Sequence, residues 1–144
     1  MRSLTKFVLF GLVAVLGPTL AMVPARAESD TRVLVNVPFD FSVGITTLKA
    51  GSYRVQDVQS GILALRCNDG QVHQLVLTVP QESANRNHQP KLVFTRYGDE
   101  VFLNTVFLSG NDDGRQLLQS SREKKLIQKG ASGEKLSLLI QPAR

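Results

Sequence analysis

The side chains in this sequence that could do chemistry are few and scattered. There are two histidines, His73 and His88, and one cysteine, Cys67. Oxygen ligands and carboxylates gather in three places: Asp40 between Phe39 and Phe41, the pair Asp99-Glu100, and the run Asn111-Asp112-Asp113-Gly114. A nucleophilic triad needs a nucleophile, a base and an orienting carboxylate. Neither histidine lies in a motif that supplies the nucleophile, and there is no Gly-x-Ser-x-Gly elbow. Cys67 could approach His73 only across a hairpin, where alternation puts the two on opposite faces. A zinc site needs ligands held at enforced spacing, and neither His-x-x-x-His nor Cys-x-x-Cys occurs. The Asn111-Asp112-Asp113-Gly114 run offers the oxygens calcium takes, but it lacks the alternating ligands and distal glutamate of an EF-hand and reads as a polar turn. Asp99 and Glu100 fall at a hairpin tip, where charge solvates the turn, and the chain has no tryptophan to serve as a sugar platform. The expectation is a protein that is not an enzyme, with no catalytic residue, cofactor or metal.

The elements that would carry these residues are mostly strands. From Val33 to Val43 every odd position is apolar, while Asn36, Pro38, Asp40 and Ser42 alternate with them. That is one long strand, or two joined at a bend, with one buried face. Asp40 then faces water, and Pro38, which has no N–H to give a ladder, marks an edge or a bulge. After Gly44, Leu48 is an isolated apolar anchor. Ala50-Gly51 then turns the chain into Tyr53 and Val55, and a ring buried at Tyr53 leaves a hydroxyl in need of a partner.

Segments 62–67 and 72–79 flank Asn68-Asp69-Gly70, a strong hairpin signal. With Asp69-Gly70 as a two-residue turn, Cys67 faces Val72 and Arg66 faces His73. Leu63, Leu65, Cys67, Val72 and Val76 then share one face, and Ile62, Ala64, Leu75 and Leu77 share the other. Both faces are apolar, which predicts central strands covered on both sides and a buried Cys67. Residues 81–90 read as a solvated loop, 91–97 and 100–108 as a second hairpin around Gly98-Asp99, and 109–115 as another loop. Ser120 and Glu123 have the spacing of a capping box, predicting a short helix over 122–129 stopped by Gly130 and Gly133. A last alternation at Leu136, Leu138 and Ile140 predicts a C-terminal strand.

The first 27 residues read as a secretory signal: Arg2 and Lys6, an apolar run over 7–16, and the small-x-small site Ala25-Arg26-Ala27. The run is shorter than the ~20 apolar residues of a bilayer span, and Gly17-Pro18 ends it. Cleavage leaves 28–144 as a single exported domain without a transmembrane segment, in the periplasm or outside the cell. The signal carries three of the 17 basic residues and none of the 12 acidic ones, so the net charge falls from +5 to +2, too little to imply nucleic acid. Arg122, Lys124, Lys125 and Lys129 make the helix basic, as an anionic envelope or phospholipid surface would favour. Its only apolar residues, Leu126 and Ile127, are too few to embed it, so a solvated helix with one docked edge is the better reading.

Taken together, "VNVPFDFSVG", "LKAGSYRV", "KLVFTRYGDEVFL" and "LQSSREKKL", in this order behind a signal, resemble a family of small exported bacterial proteins of unassigned function. Lys49 departs from the proline that the resemblance leads one to expect there. The resemblance implies an all-β exported domain and brings no catalytic residues.

The fold expectation is all-β: an antiparallel sandwich or barrel of about eight strands with one short C-terminal helix. The functional expectation is a structural or binding module of the cell envelope or exterior. Its partner would be an envelope protein, or, in the alternative, a small apolar ligand carried in a pocket lined from Phe39/Phe41 and Phe94/Phe102/Phe107, rings that otherwise fill the core. Phe39, Phe41, Tyr53 and Tyr97 are the aromatics a ligand or partner would touch. A mass spectrum of the denatured protein recovered from an exporting bacterial host should match residues 28–144; an intact precursor would remove the signal reading.

Overall fold

The computed structural model describes residues 32–68, 72–82, 89–108 and 113–140. The signal segment, the Asp69-Gly70 turn, His88 and Asn111-Asp112 lie outside the described residues, as do the side chains of Val72, His73 and Asp113.

The described chain is all-β with a single short helix. In chain order the strands are β1 (Arg32–Val37), β2 (Phe41–Val43), β3 (Thr46–Leu48), β4 (Gly51–Gln59), β5 (Ile62–Cys67), β6 (Val72–Glu82), β7 (Lys91–Tyr97), β8 (Glu100–Phe107), β9 (Asp113–Leu117) and β10 (Glu134–Leu139), with α1 (Ser121–Gln128) between the last two. The first alternation resolves into two strands because the chain bends at Pro38-Phe39-Asp40, where proline has no N–H for a ladder. The count is ten rather than about eight because β3 and β9 are also strands. β9 had the composition of a loop. It extends because Gly114 leaves room for the Phe107 ring, 2.6 Å from where a Cβ would stand, and because Leu117 reaches the core.

The strands form one open sheet in the order β1-β4-β5-β6-β9-β8-β2-β3, with β7 also paired to β8 and β10 to β7. All pairings are antiparallel except β2 with β8, which run parallel through Ser42 and Phe102. The inward faces of both ends of this sheet meet in one core. Val35 of β1, Val55 of β4 and Leu65 of β5 belong to the same cluster as Leu92 and Phe94 of β7 and Leu103 and Val106 of β8. The sheet is therefore folded over on itself, as in a sandwich.

The β5–β6 hairpin keeps the expected register over four pairs, from Ile62 opposite Leu77 to Leu65 opposite Gln74. It then shifts so that Arg66 pairs with Val72, leaving His73 as the extra residue. One face is buried through Leu63, Leu65 and Val76. The other is only partly covered: Ala64 is buried, but Leu75 is 58% and Leu77 65% exposed, which corrects the expectation of strands buried on both sides. The sheet is folded only once, so no second layer among the described residues lies over its convex face there. Cys67, at the strand end opposite Tyr53, is half-buried rather than buried.

Around Asp40 the local chemistry is architectural. Its carboxylate accepts from Lys49 Nζ at 2.8 Å and from the Ala50 N–H at 2.9 Å. These bonds, Lys49 foremost and then Ala50, hold the carboxyl below its ordinary 3.8. A depressed carboxyl adds stability that is present above the unfolded value and is lost as the pH falls through the folded one. Lys49 thus closes this turn by an ion pair with Asp40. The Tyr53 hydroxyl donates to the Lys49 carbonyl at 2.6 Å, so the buried ring has its partner. Tyr53→Phe should lower unfolding stability by about 1 kcal/mol, because it strands a part-buried carbonyl; chemical denaturation of the two proteins measures the difference, and equal midpoints would contradict the role.

Candidate functional site

Ser120 precedes the helix in an extended conformation, and its hydroxyl accepts the Glu123 N–H at 3.1 Å. This is half of the capping box that the spacing predicts. In the usual box the glutamate returns a bond to the cap's own N–H. Here Glu123 turns instead to the sheet, where its Oε1 accepts from Asn104 Nδ2 at 2.9 Å. Glu123 is only 3% exposed, and it is the one buried residue of α1.

Asn104 reaches the helix because of a register shift in β8. Phe94 pairs with Leu103 and Val93 with Thr105, so Asn104 is an extra residue between them. Such a bulge re-aims its side chain. Facing a carboxylate, the amide must present its NH2, which leaves Oδ1 buried without a hydrogen-bond partner. Two polar side chains thus meet under the helix with acceptor capacity to spare.

The far end of α1 shapes the opposite wall. The Ala131 N–H bonds to the Leu126 carbonyl and the Gly130 N–H to that of Ile127, with Gly130 at φ +80°. This left-handed stop turns the chain back over the sheet. Gly133 then passes so close to Thr95 and Tyr97 that a Cβ would lie 2.8 Å from each side chain. Arg122 Nε stands 2.6 Å from Glu100 Oε2, tying the first turn of the helix to the start of β8.

Between helix and sheet lies an open cleft of about 440 Å³. Its floor is the outward face of the sheet: Thr95 and Tyr97 of β7, Asn104 and Thr105 of β8, Gln81 of β6 and Gln116 of β9. Gln119, Glu123 and Ile127 line the helix side, and Lys135 stands at the return of the chain. Thr105 Oγ1 donates to Gln81 Oε1 at 3.1 Å, which orders the floor across β9. Most of the described lining is carboxamides and hydroxyls with one carboxylate and one ammonium, beside apolar Val93, Ile127 and Ala131, a set suited to hydrogen-bonding a polar molecule.

Of the four aromatics singled out in the sequence, Tyr97 alone lines this cleft, with its ring edge-on to Phe102 at 6.0 Å. Burial, and then the negative charge of Glu123, raises its hydroxyl above the ordinary 10.0. Phe39, Phe41 and Tyr53 are gathered elsewhere: Phe41 sits 5.3 Å from Tyr53 and 5.5 Å from Phe94, and Phe39 sits 5.3 Å from Phe94, all edge-on. Phe102 and Phe107 are buried outside that cluster, on the outward face of β8, so the five phenylalanines do not surround one pocket. Glu123 and Asn104 were not singled out beforehand. The capping-box spacing marked the glutamate, but as part of a helix start rather than as a group aimed at the sheet, and nothing in the pattern announced the bulge at Asn104.

Among the described residues, no three His, Cys, Asp or Glu side chains gather as metal ligands. No helix among them is long and apolar enough to cross a membrane. Comparison of the chain with protein families, curated proteins and solved structures found no match.

The chain has only two tyrosines, so an absorbance titration of phenolate resolves them. Glu123→Gln should lower the Tyr97 pKa and leave that of Tyr53 in place, since burial, Cys67 and Asp40 set the latter. An unmoved Tyr97 would mean that the carboxylate does not face the cleft.

Proposed function

We propose that the protein is a non-enzymatic binding module of the cell envelope or exterior, exported by its N-terminal signal, and that its ligand seats in the cleft beneath α1. The observation that carries this reading is the buried Glu123–Asn104 pair with Asn104 Oδ1 left unmet. A buried acceptor without a donor costs about 1–3 kcal/mol. Apolar residues at both positions would close the helix onto the sheet without that cost. A ligand that brings donors removes the cost, so the ligand is rich in hydroxyl, amide or ammonium N–H and O–H groups. The cleft volume suits a small molecule or one end of a larger one.

Two features favour binding over catalysis. Among the described lining residues Glu123 is the one carboxylate, where glycoside hydrolysis needs two. The remaining polar groups are mostly amides and hydroxyls, which hold ligands and exchange protons poorly at neutral pH. An apolar cargo is less favoured, because the cleft is polar and the core phenylalanines pack on one another.

The test is a nuclear magnetic resonance screen of neutral saccharides, amino sugars and short peptides with free amino termini. At least one donor-rich class should give saturable shifts at Thr95, Asn104 and Gln116. Asn104→Leu should weaken that binding by about tenfold or more, from the loss of a buried hydrogen bond. Saturable shifts confined to other surfaces, or none from any class, would defeat the proposal.

A further inference from the structure

The convex face of β1, β4, β5 and β6 carries an apolar tract and, at one end of it, two arginines set directly opposite each other. On β6, Leu75, Leu77 and Val79 all point outward and are exposed, next to half-buried Ile62 on β5. Leu118, just past the end of β9, is exposed as well. Two residues along β5 from Ala64, Arg66 lies directly opposite Arg54 of β4, and Arg54 lies opposite the exposed Leu34 of β1. Like charges placed directly across a sheet repel. The Arg66 Nε is nevertheless buried with no hydrogen-bond partner, and no acidic side chain lies among the described outward positions of these strands. Among the described residues, the pair has no anion beside it on this face.

We infer that this face docks on an anionic lipid bilayer, with Arg54 and Arg66 taking acidic headgroups and Leu75, Leu77 and Val79 entering the interface beside them. The guanidinium fork matches a phosphate diester in geometry and is weakly hydrated, so it gives up water readily at such a surface. The adjoining leucines supply what a free anion would not use: apolar area next to the charge. A protein partner with an acidic rim is the competing occupant. The lipid is favoured because the tract is an open strand face with the charge gathered at one end, the order of groups in an amphiphile.

The experiment is sedimentation of the protein recovered from an exporting host with vesicles of phosphatidylcholine alone, or of phosphatidylcholine mixed with phosphatidylglycerol. Pelleting is expected with the anionic vesicles and not with the neutral ones. Arg54→Gln with Arg66→Gln should weaken it by about tenfold or more, from two lost cation contacts. Leu75→Ser with Leu77→Ser should weaken it by a similar factor, from lost interfacial burial. Thermal melts confirm that each pair still folds, and Arg54→Lys with Arg66→Lys, which keeps the charge but not the fork, should retain part of the binding, between wild type and the glutamine pair. Lys124→Gln with Lys125→Gln, on the helix, should leave binding within about twofold of wild type, because α1 lies over β7 and β8, outside the docking face. The inference is overturned if the protein ignores anionic vesicles, if the arginine pair can be neutralised without effect, or if the helix variant is the one that abolishes pelleting.

Discussion

The contact on which the rest of the structure depends is the wedge of Phe41 between Tyr53 and Phe94. Tyr53 belongs to β4, in one arm of the folded sheet, and Phe94 to β7, in the other. Phe41 meets both edge-on, at 5.3 and 5.5 Å, and so closes the arms over one core. Edge-to-face rings contribute more than their buried area alone, because the positive rim of one meets the negative face of the next. Phe41 can stand there only because the chain leaves β1 at Pro38 and crosses to pair with β8. The Asp40–Lys49 ion pair and the Tyr53–Lys49 hydrogen bond hold that crossing in place.

A sheet folded once has a concave face that is filled and a convex face that is not. On the convex side, α1 covers only the arm built from β7 and β8, and it does so through a carboxylate and an amide rather than through an apolar stripe. The helix is fixed at its ends instead: by Ser120 and the Arg122–Glu100 pair at the start, and by the left-handed Gly130 and the close passage of Gly133 at the stop. A helix pinned at its ends above a polar floor leaves a cleft, whereas one packed along an apolar stripe would close it. The other arm carries no helix among the described residues, which is why leucines on β6 stay exposed.

Much of this was legible in the chain. Alternation located the strands and their buried faces, from Val33, Val35 and Val37 to Leu92 and Phe94. The turn chemistry at Gly98-Asp99 placed the second hairpin where it is found, between β7 and β8. The need of the Tyr53 hydroxyl for a partner and the cap at Ser120 were both met. What escaped was β9, because a glycine and two long polar residues show no period. The exposure of Leu75 and Leu77 also escaped, because an apolar side chain does not say whether another layer will cover it.

The sequence by itself determined the class of fold, the position of most strands, the capped helix and the inward residues, since each depends on neighbours within a few positions along the chain. Only the tertiary structure decided which surfaces remained open. The bulge at Asn104 and the diversion of Glu123 join residues 19 apart. The Arg54–Arg66 juxtaposition follows from strand register, and the parallel bridge between β2 and β8 from the folding of the sheet. Those features come from pairing and closure in space, where a shift of one residue re-aims a side chain from core to solvent, and periodicity along the chain carries no record of such choices.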